Sequence, residues 1–347
     1  MAAATVTAGL SMTSPAAGWG NDQAALAPDT NQTVESLAKT LEDNFVFPDV
    51  AADYARMLRA KQAAGAYAAL TDPAALAAAL TADLQAVHPD NHLKVVPPQA
   101  AKAGEKSSPP PMPAGGLERS GWIADGVAYV EFTLFPGDKK TLDGIAAFIG
   151  NYGDARAVII DARRHKGGGL AEMDALFPAL FEAETQLVGM DTRLAVEQAM
   201  GPMAPDLPTL RRVAGPDGVV RRMHFAMGDS AKARLGKAKV FLLVSGKTGS
   251  AAEHLSLSLK RTGRATLIGE PTGGAGHYGG MMPIAAGYSV FVPVGRTFDP
   301  DTGEGWEGKG VAPDVAVPAD QALLEALRLA GVADVAAAAG RFPGPTA

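Results

Sequence analysis

The chain has no cysteine. Disulfides, zinc–thiolate sites, iron–sulfur clusters and a cysteine nucleophile are therefore excluded. The compartment stays open, because a cysteine-free chain suits reducing and oxidising surroundings alike. No apolar run approaches the ~18 residues that a membrane-spanning helix needs. Basic residues are not in excess: the net formal charge is −6. That argues against a nucleic-acid-binding surface, which needs a basic face to release counterions from phosphates. The histidines, at 88, 92, 165, 224, 254 and 277, include no H-E-x-x-H pair. Pro89 breaks any helix that would align His88 with His92, so no metal site is expected.

What is present describes a globular protein. Hydrophobic residues make up 47% and charged residues 20% of 347 residues, enough chain for about two domains. The 40 glycines and 25 prolines predict many turns and several irregular loops. Residues 1–28 are small and apolar up to Met12, followed by Ser14, Pro15, Ala16 and Ala17. They read as a disordered tail or the remnant of an export signal without its basic start. The second reading implies a periplasmic or secreted protein, the first leaves a cytoplasmic one.

Val34, Leu37, Leu41 and Phe45 share one helix face, and that helix should stop before Pro48. Residues 51–63 form a second amphipathic segment. Thr71, Asp72 and Pro73 open a third helix, with Leu76, Leu80 and Leu84 in register. Residues 92–96 are short and β-like, and residues 97–116 are rich in Pro, Ala, Ser and Gly, which reads as a linker. Beyond Gly121, strands are expected at 127–132, 157–161, 239–244, 265–269 and 288–293, and helices at 142–152, 172–181 and 250–261. This alternation predicts a layered α/β domain. Residues 192–237 are less regular. Within them, the turn at 215–218 lies between two short β-like runs and reads as a hairpin.

Four features carry candidate chemistry. Ser250 follows a buried strand and opens a helix, where free N–H groups and the helix dipole suit a developing oxyanion. The same serine is also an ordinary N-cap, with Glu253 placed for a capping box. Gly249 directly precedes it, so the pattern is not the G-x-S-x-G elbow. Gly167, Gly168 and Gly169 could present N–H groups to an anion or a carbonyl oxygen, or could simply form a βα turn. Gly274, Gly276 and Gly279 match G-x-G-x-x-G, but a strand is expected after them, not the helix of a dinucleotide fold. Glu307, in a Gly-rich loop, is either a solvated acid or the group that orients a histidine.

Together these pieces resemble the tail-specific (C-terminal-processing) serine peptidases, in the branch of the tricorn core and the repeats of interphotoreceptor retinoid-binding protein. The carriers are Tyr54 and Tyr67, the run Asp90-Asn91-His92-Leu93, the segment from Asp161 to Gly168, Thr248 to Glu253, Gly269 to Gly274, and Glu307 to Asp314. The resemblance spans roughly Gln32 to Leu327. It implies a small three-helix N-terminal domain at 29–96, a linker at 97–117 and a ClpP/crotonase-like α/β catalytic domain at 118–347. The linker is too short for a PDZ domain. The resemblance further implies Ser250 as nucleophile, with an oxyanion hole from the N–H of Ala251 and that of Gly167 or Gly168.

The Ser–Lys branch carries a lysine in the segment after Gly269 and Glu270. Here the corresponding place is Ala275, and no Lys lies between Arg264 and Lys309. The tricorn-like branch uses a His and a Glu, which His92 and Glu307 fit. Without a lysine, an imidazole must take the serine proton. Asn91 stands where the tricorn core has a serine relay, and His165 where relatives often have Asn. The expected activity is therefore hydrolysis of peptide or unfolded-protein substrates through an acyl-enzyme, without a cofactor. The alternatives are a non-catalytic module that binds lipophilic ligands or peptides, and a crotonase-type acyl-CoA enzyme, for which no basic phosphate site is evident.

Overall fold

The computed structural model describes residues 30–98, 115–202 and 205–342. The N-terminal 1–28 segment and most of the expected linker lie outside them. Three helices come first: α1 (Thr30–Asn44), α2 (Pro48–Ala63) and α3 (Pro73–Val87). Pro48 and Pro73 stand at helix starts, where a missing N–H costs nothing, and Asp72 accepts the Ala75 N–H at 2.8 Å. The strands β1 (Lys94–Val96), β2 (Leu117–Ala124) and β3 (Val127–Phe132) lead to α4 (Lys139–Tyr152), β4 (Ala157–Asp161) and α5 (Ala171–Leu180). Next are β5 (Thr185–Arg193), α6 (Leu194–Met200), β6 (Leu210–Val213), β7 (Val219–Ala226), β8 (Lys239–Val244) and α7 (Ala251–Arg261). The chain ends with β9 (Thr266–Gly269), β10 (His277–Pro283), β11 (Ser289–Phe298), β12 (Val315–Ala316), α8 (Ala322–Leu329) and α9 (Val335–Ala339).

Two six-stranded sheets result. One has the order β12-β9-β8-β4-β3-β2, parallel except for the antiparallel pairing of β2 with β3. Its inner strands are apolar on both sides, as a sheet covered on both faces requires. Val158, Ile160, Val240 and Leu242 join one core with α5 and α7, while Ile159, Phe241 and Leu243 join another with α8 and α9. The second sheet is antiparallel, with the order β1-β11-β5-β7-β6 and β10 also on β11. Helices α1–α3 pack on it. Leu37, Leu41, Tyr54 and Leu80 share one core with Val290, Val292 and Val294 of β11. The Gly274–Gly279 run enters β10, so no dinucleotide-type helix follows it. Residues 192–237, less regular in the sequence, contain α6 and the expected hairpin, whose strands β6 and β7 pair antiparallel in the second sheet.

Candidate active site

The site stands at the carboxyl ends of the neighbouring parallel strands β4 and β8, where loops diverge and open a crevice. The loop after β4 carries the three glycines, and the loop after β8 carries Ser250. Side chains and main chain tie the two loops together. Thr248 Oγ1 donates to Ala162 O at 2.8 Å, Ser245 Oγ to Arg163 O at 2.6 Å, and Gly249 N–H to His165 O at 3.0 Å.

Ser250 caps α7 with φ +55° and ψ −119°. An ordinary N-cap is extended. A serine held at positive φ carries backbone strain of about 1–3 kcal/mol, a feature that concentrates at functional sites. Glu253 supplies the reciprocal half of the expected box: its Oε2 accepts the Ser250 N–H at 2.8 Å. The serine side chain abuts Gly167, where a Cβ would lie 2.7 Å from Ser250 Cβ.

The glycines are constrained by what surrounds them. Gly167 has φ +108° and Gly168 +126°. A Cβ on Gly168 would meet Phe135 O at 2.0 Å. His165 is fully buried against Phe135, and its Nδ1 accepts the Gly167 N–H at 3.0 Å. Burial pushes its pKa down to about 3, so the ring stays neutral and able to accept. The Gly167 N–H is thus occupied. Among the described residues, the N–H groups of Gly168 and Ala251 have no main-chain or side-chain acceptor, and both residues line a cavity of about 390 Å³ together with Ser250.

The other expected residues gather nearby. Glu307 accepts the N–H groups of Asn91 at 2.8 Å, Gly276 at 2.6 Å and His277 at 3.0 Å. Asn91 reaches Glu307 through its main chain, while its amide donates to the carbonyls of Gly273 and Gly274. His92 stacks on Phe291 at 5.3 Å, and its buried Nδ1 has no hydrogen-bond partner. Ligand-type atoms of Asp90, His92 and Glu307 lie within 4.8 Å of one another. These are the described residues that could hold a metal. Their carboxylates already accept main-chain N–H groups, including those of His92 and Leu93 on Asp90 Oδ1.

Sequence reasoning missed a second imidazole. His277, at the start of β10, lines the cavity with Ser250, whereas His92 stands outside its lining. His277 Nδ1 lies 2.7 Å from Oδ2 of the buried Asp90 and 3.8 Å from Glu307 Oε2. Its signal was the short Gly-Ala-Gly run before it, read only against the dinucleotide pattern. Also missed was a chain of side chains behind the cavity. His224 Nδ1 lies 2.8 Å from His254 Nε2, and His224 Nε2 lies 2.9 Å from Asp174 Oδ1. Nothing local marks that chain, because its members lie on α5, β7 and α7.

Residues 126–317 match the model described as peptidase family S41, and residues 23–119 match that of the N-terminal domain of peptidase S41 in eukaryotic IRBP. The chain is similar in structure to a candidate peptidase from Parabacteroides merdae, at 15% identity over 88% of this chain and 97% of that one, with a TM-score of 0.61. A lipoprotein from Streptococcus agalactiae matches at 12% identity over 88% and 96%, with a TM-score of 0.50. These two share the fold. A photosystem II D1 C-terminal processing protease matches at 23% identity over 58% of this chain, with a TM-score of 0.42, and the chain covers 44% of it. The chain likewise covers 48% of a mature CPAF structure complexed with lactacystin, so it spans less than half of each.

Proposed function

The chain belongs to peptidase family S41, whose model covers more than half of it, and from that premise we propose that it is a serine peptidase acting on peptide or unfolded-protein substrates. The observation that carries the proposal is Ser250, held at positive φ beside two uncommitted N–H groups. Ser250 Oγ attacks the peptide carbonyl carbon. The oxyanion that forms is met by the N–H groups of Gly168 and Ala251, with the α7 dipole of favourable sign. His92 accepts the serine proton and returns it to the leaving amine, which leaves an acyl-enzyme for water to hydrolyse. Glu307 orients His92. Supporting this role is its position between Asn91, the residue next to His92, and the loop that carries His277.

The test is cleavage of an unfolded protein by the wild type and by Ser250→Ala in parallel. Fragments from the wild type, with a loss of about 10⁴-fold or more in the variant, are expected. Equal inactivity of both would overturn the peptidase reading, and equal activity would remove Ser250 as nucleophile.

A further inference from the structure

We propose that the cavity beside Ser250 selects a lysine or arginine side chain at the residue whose carbonyl is attacked, an inference that rests on the serine-peptidase reading. Both helices of the site begin at the reacting groups. Gly168 leads through Gly169 and Leu170 into α5, and Ser250 caps α7. Each helix places one polar side chain on the cavity wall a single turn further on: Asp174 follows Leu170 by one turn, and His254 follows Ser250 by one turn. A turn rises about 5.4 Å, comparable with the reach of an extended lysine or arginine stem.

His224, fully buried, bridges the two helices. It contacts Asp174 at 2.9 Å and His254 at 2.8 Å and so ties these two lining residues together from behind. Leu170, Met190, Leu207, Leu210 and Trp306 supply apolar surface to the same cavity. Asp174 is the one Asp, Glu, Lys or Arg among the described residues lining the cavity. Its Oδ2 accepts Thr209 Oγ1 at 3.0 Å, and no described Lys or Arg pairs with it. Burial holds the His254 pKa well below its ordinary value, so that ring supplies no cation.

An apolar cavity whose single lining carboxylate is balanced by no described Lys or Arg suits a side chain with an apolar stem and a charged head. An acidic side chain is repelled there, and an aliphatic one covers the walls but brings no charge to meet the carboxylate. The occupant is the residue before the scissile bond. Its Cα is bonded directly to the carbonyl carbon, and the donors on Gly168 and Ala251 that meet the carbonyl oxygen belong to the same cavity.

The experiment uses four peptides that differ only at that residue: Lys, Arg, Leu and Glu. With the wild type, kcat/KM for Lys and Arg should exceed that for Leu by about tenfold or more, with Glu poorest. Asp174→Asn keeps an acceptor for His224 and should lower the Lys-to-Leu ratio by about tenfold. A merely structural lesion would lower both rates alike. In parallel, binding of the four peptides to Ser250→Ala, followed by fluorescence anisotropy, reads the cavity without turnover. A preference for Leu or Glu, or a Lys-to-Leu ratio that Asp174→Asn leaves unchanged, overturns the proposal. Tighter binding of the basic peptides to Ser250→Ala without cleavage by the wild type would uphold the cavity assignment and overturn the peptidase reading instead.

Discussion

At the residue scale the site depends on backbone shapes that few residues tolerate. Gly168 combines φ +126° with a carbonyl oxygen 2.0 Å from where a Cβ would stand, whereas the same construction at Gly169 leaves 3.9 Å to that oxygen. Gly168→Ala should therefore cost about 2 kcal/mol or more of stability and, by displacing one oxyanion donor, about 10²-fold or more in kcat. Gly169→Ala should cost far less in both, as urea titration and peptide kinetics would show. The two imidazoles make a second prediction. An asparagine at 277 can still reach Asp90 but lacks the far ring nitrogen. With His92 as base, His92→Ala should reduce kcat/KM by about 10³-fold or more and His277→Asn by about tenfold. The reverse order in steady-state kinetics would transfer the role of base to His277. Ser250, the glycines and Glu307 were legible in the sequence because each sits in a short motif with local meaning. His277 and Asp174 were not, since what distinguishes them is contact with residues on other elements.

At the element scale, helix starts and buried strands follow from caps, prolines and apolar runs, and the expected strands at 127–132, 157–161 and 239–244 stand where β3, β4 and β8 do. Local pattern does not disclose what holds α7 against the loop beyond β9. Glu253, on the first turn of α7, is fully buried. Its carboxylate accepts the Ser250 and Ala275 N–H groups at 2.8 Å, the Gly274 N–H at 2.7 Å and Thr272 Oγ1 at 2.6 Å. One residue that the sequence marks as a cap thus fixes both Ser250 and the loop leading to His277. Glu253→Gln turns an NH₂ group toward donors. It should cost about 2–4 kcal/mol in urea denaturation and lower peptidase activity as well. A variant as stable as the wild type would show that the loop repacks without this anchor.

At the scale of the whole molecule, one core runs from α1–α3 into the antiparallel sheet. Arg193 of β5 reinforces it by donating to Glu42 O at 2.6 Å and Phe45 O at 2.7 Å. Among the described residues no helix is long and apolar enough to cross a membrane. The stability of such a molecule registers every proton that folding excludes. His165, depressed to about 3, and His254, held well below 6.5, are both kept neutral by burial. Once unfolded, each binds a proton as the pH falls through 6.5, while the folded chain does not. The unfolded state then carries more protons, and stability declines with falling pH by about 1.4 kcal/mol per unit for each group fully engaged. The window opens near pH 6.5 and, for His165, closes near pH 3. Glu172 works the other way: burial raises its pKa above 4.5, so the folded state takes up its proton first and regains some stability just above that value. Between pH 6.5 and 5 the two histidines dominate, and urea midpoints should fall steadily across that range. His165→Asn, with an amide oxygen able to accept the Gly167 N–H, should flatten the slope even where it lowers stability at pH 7. An unchanged slope in that variant would mean that His165 is protonated within the folded chain.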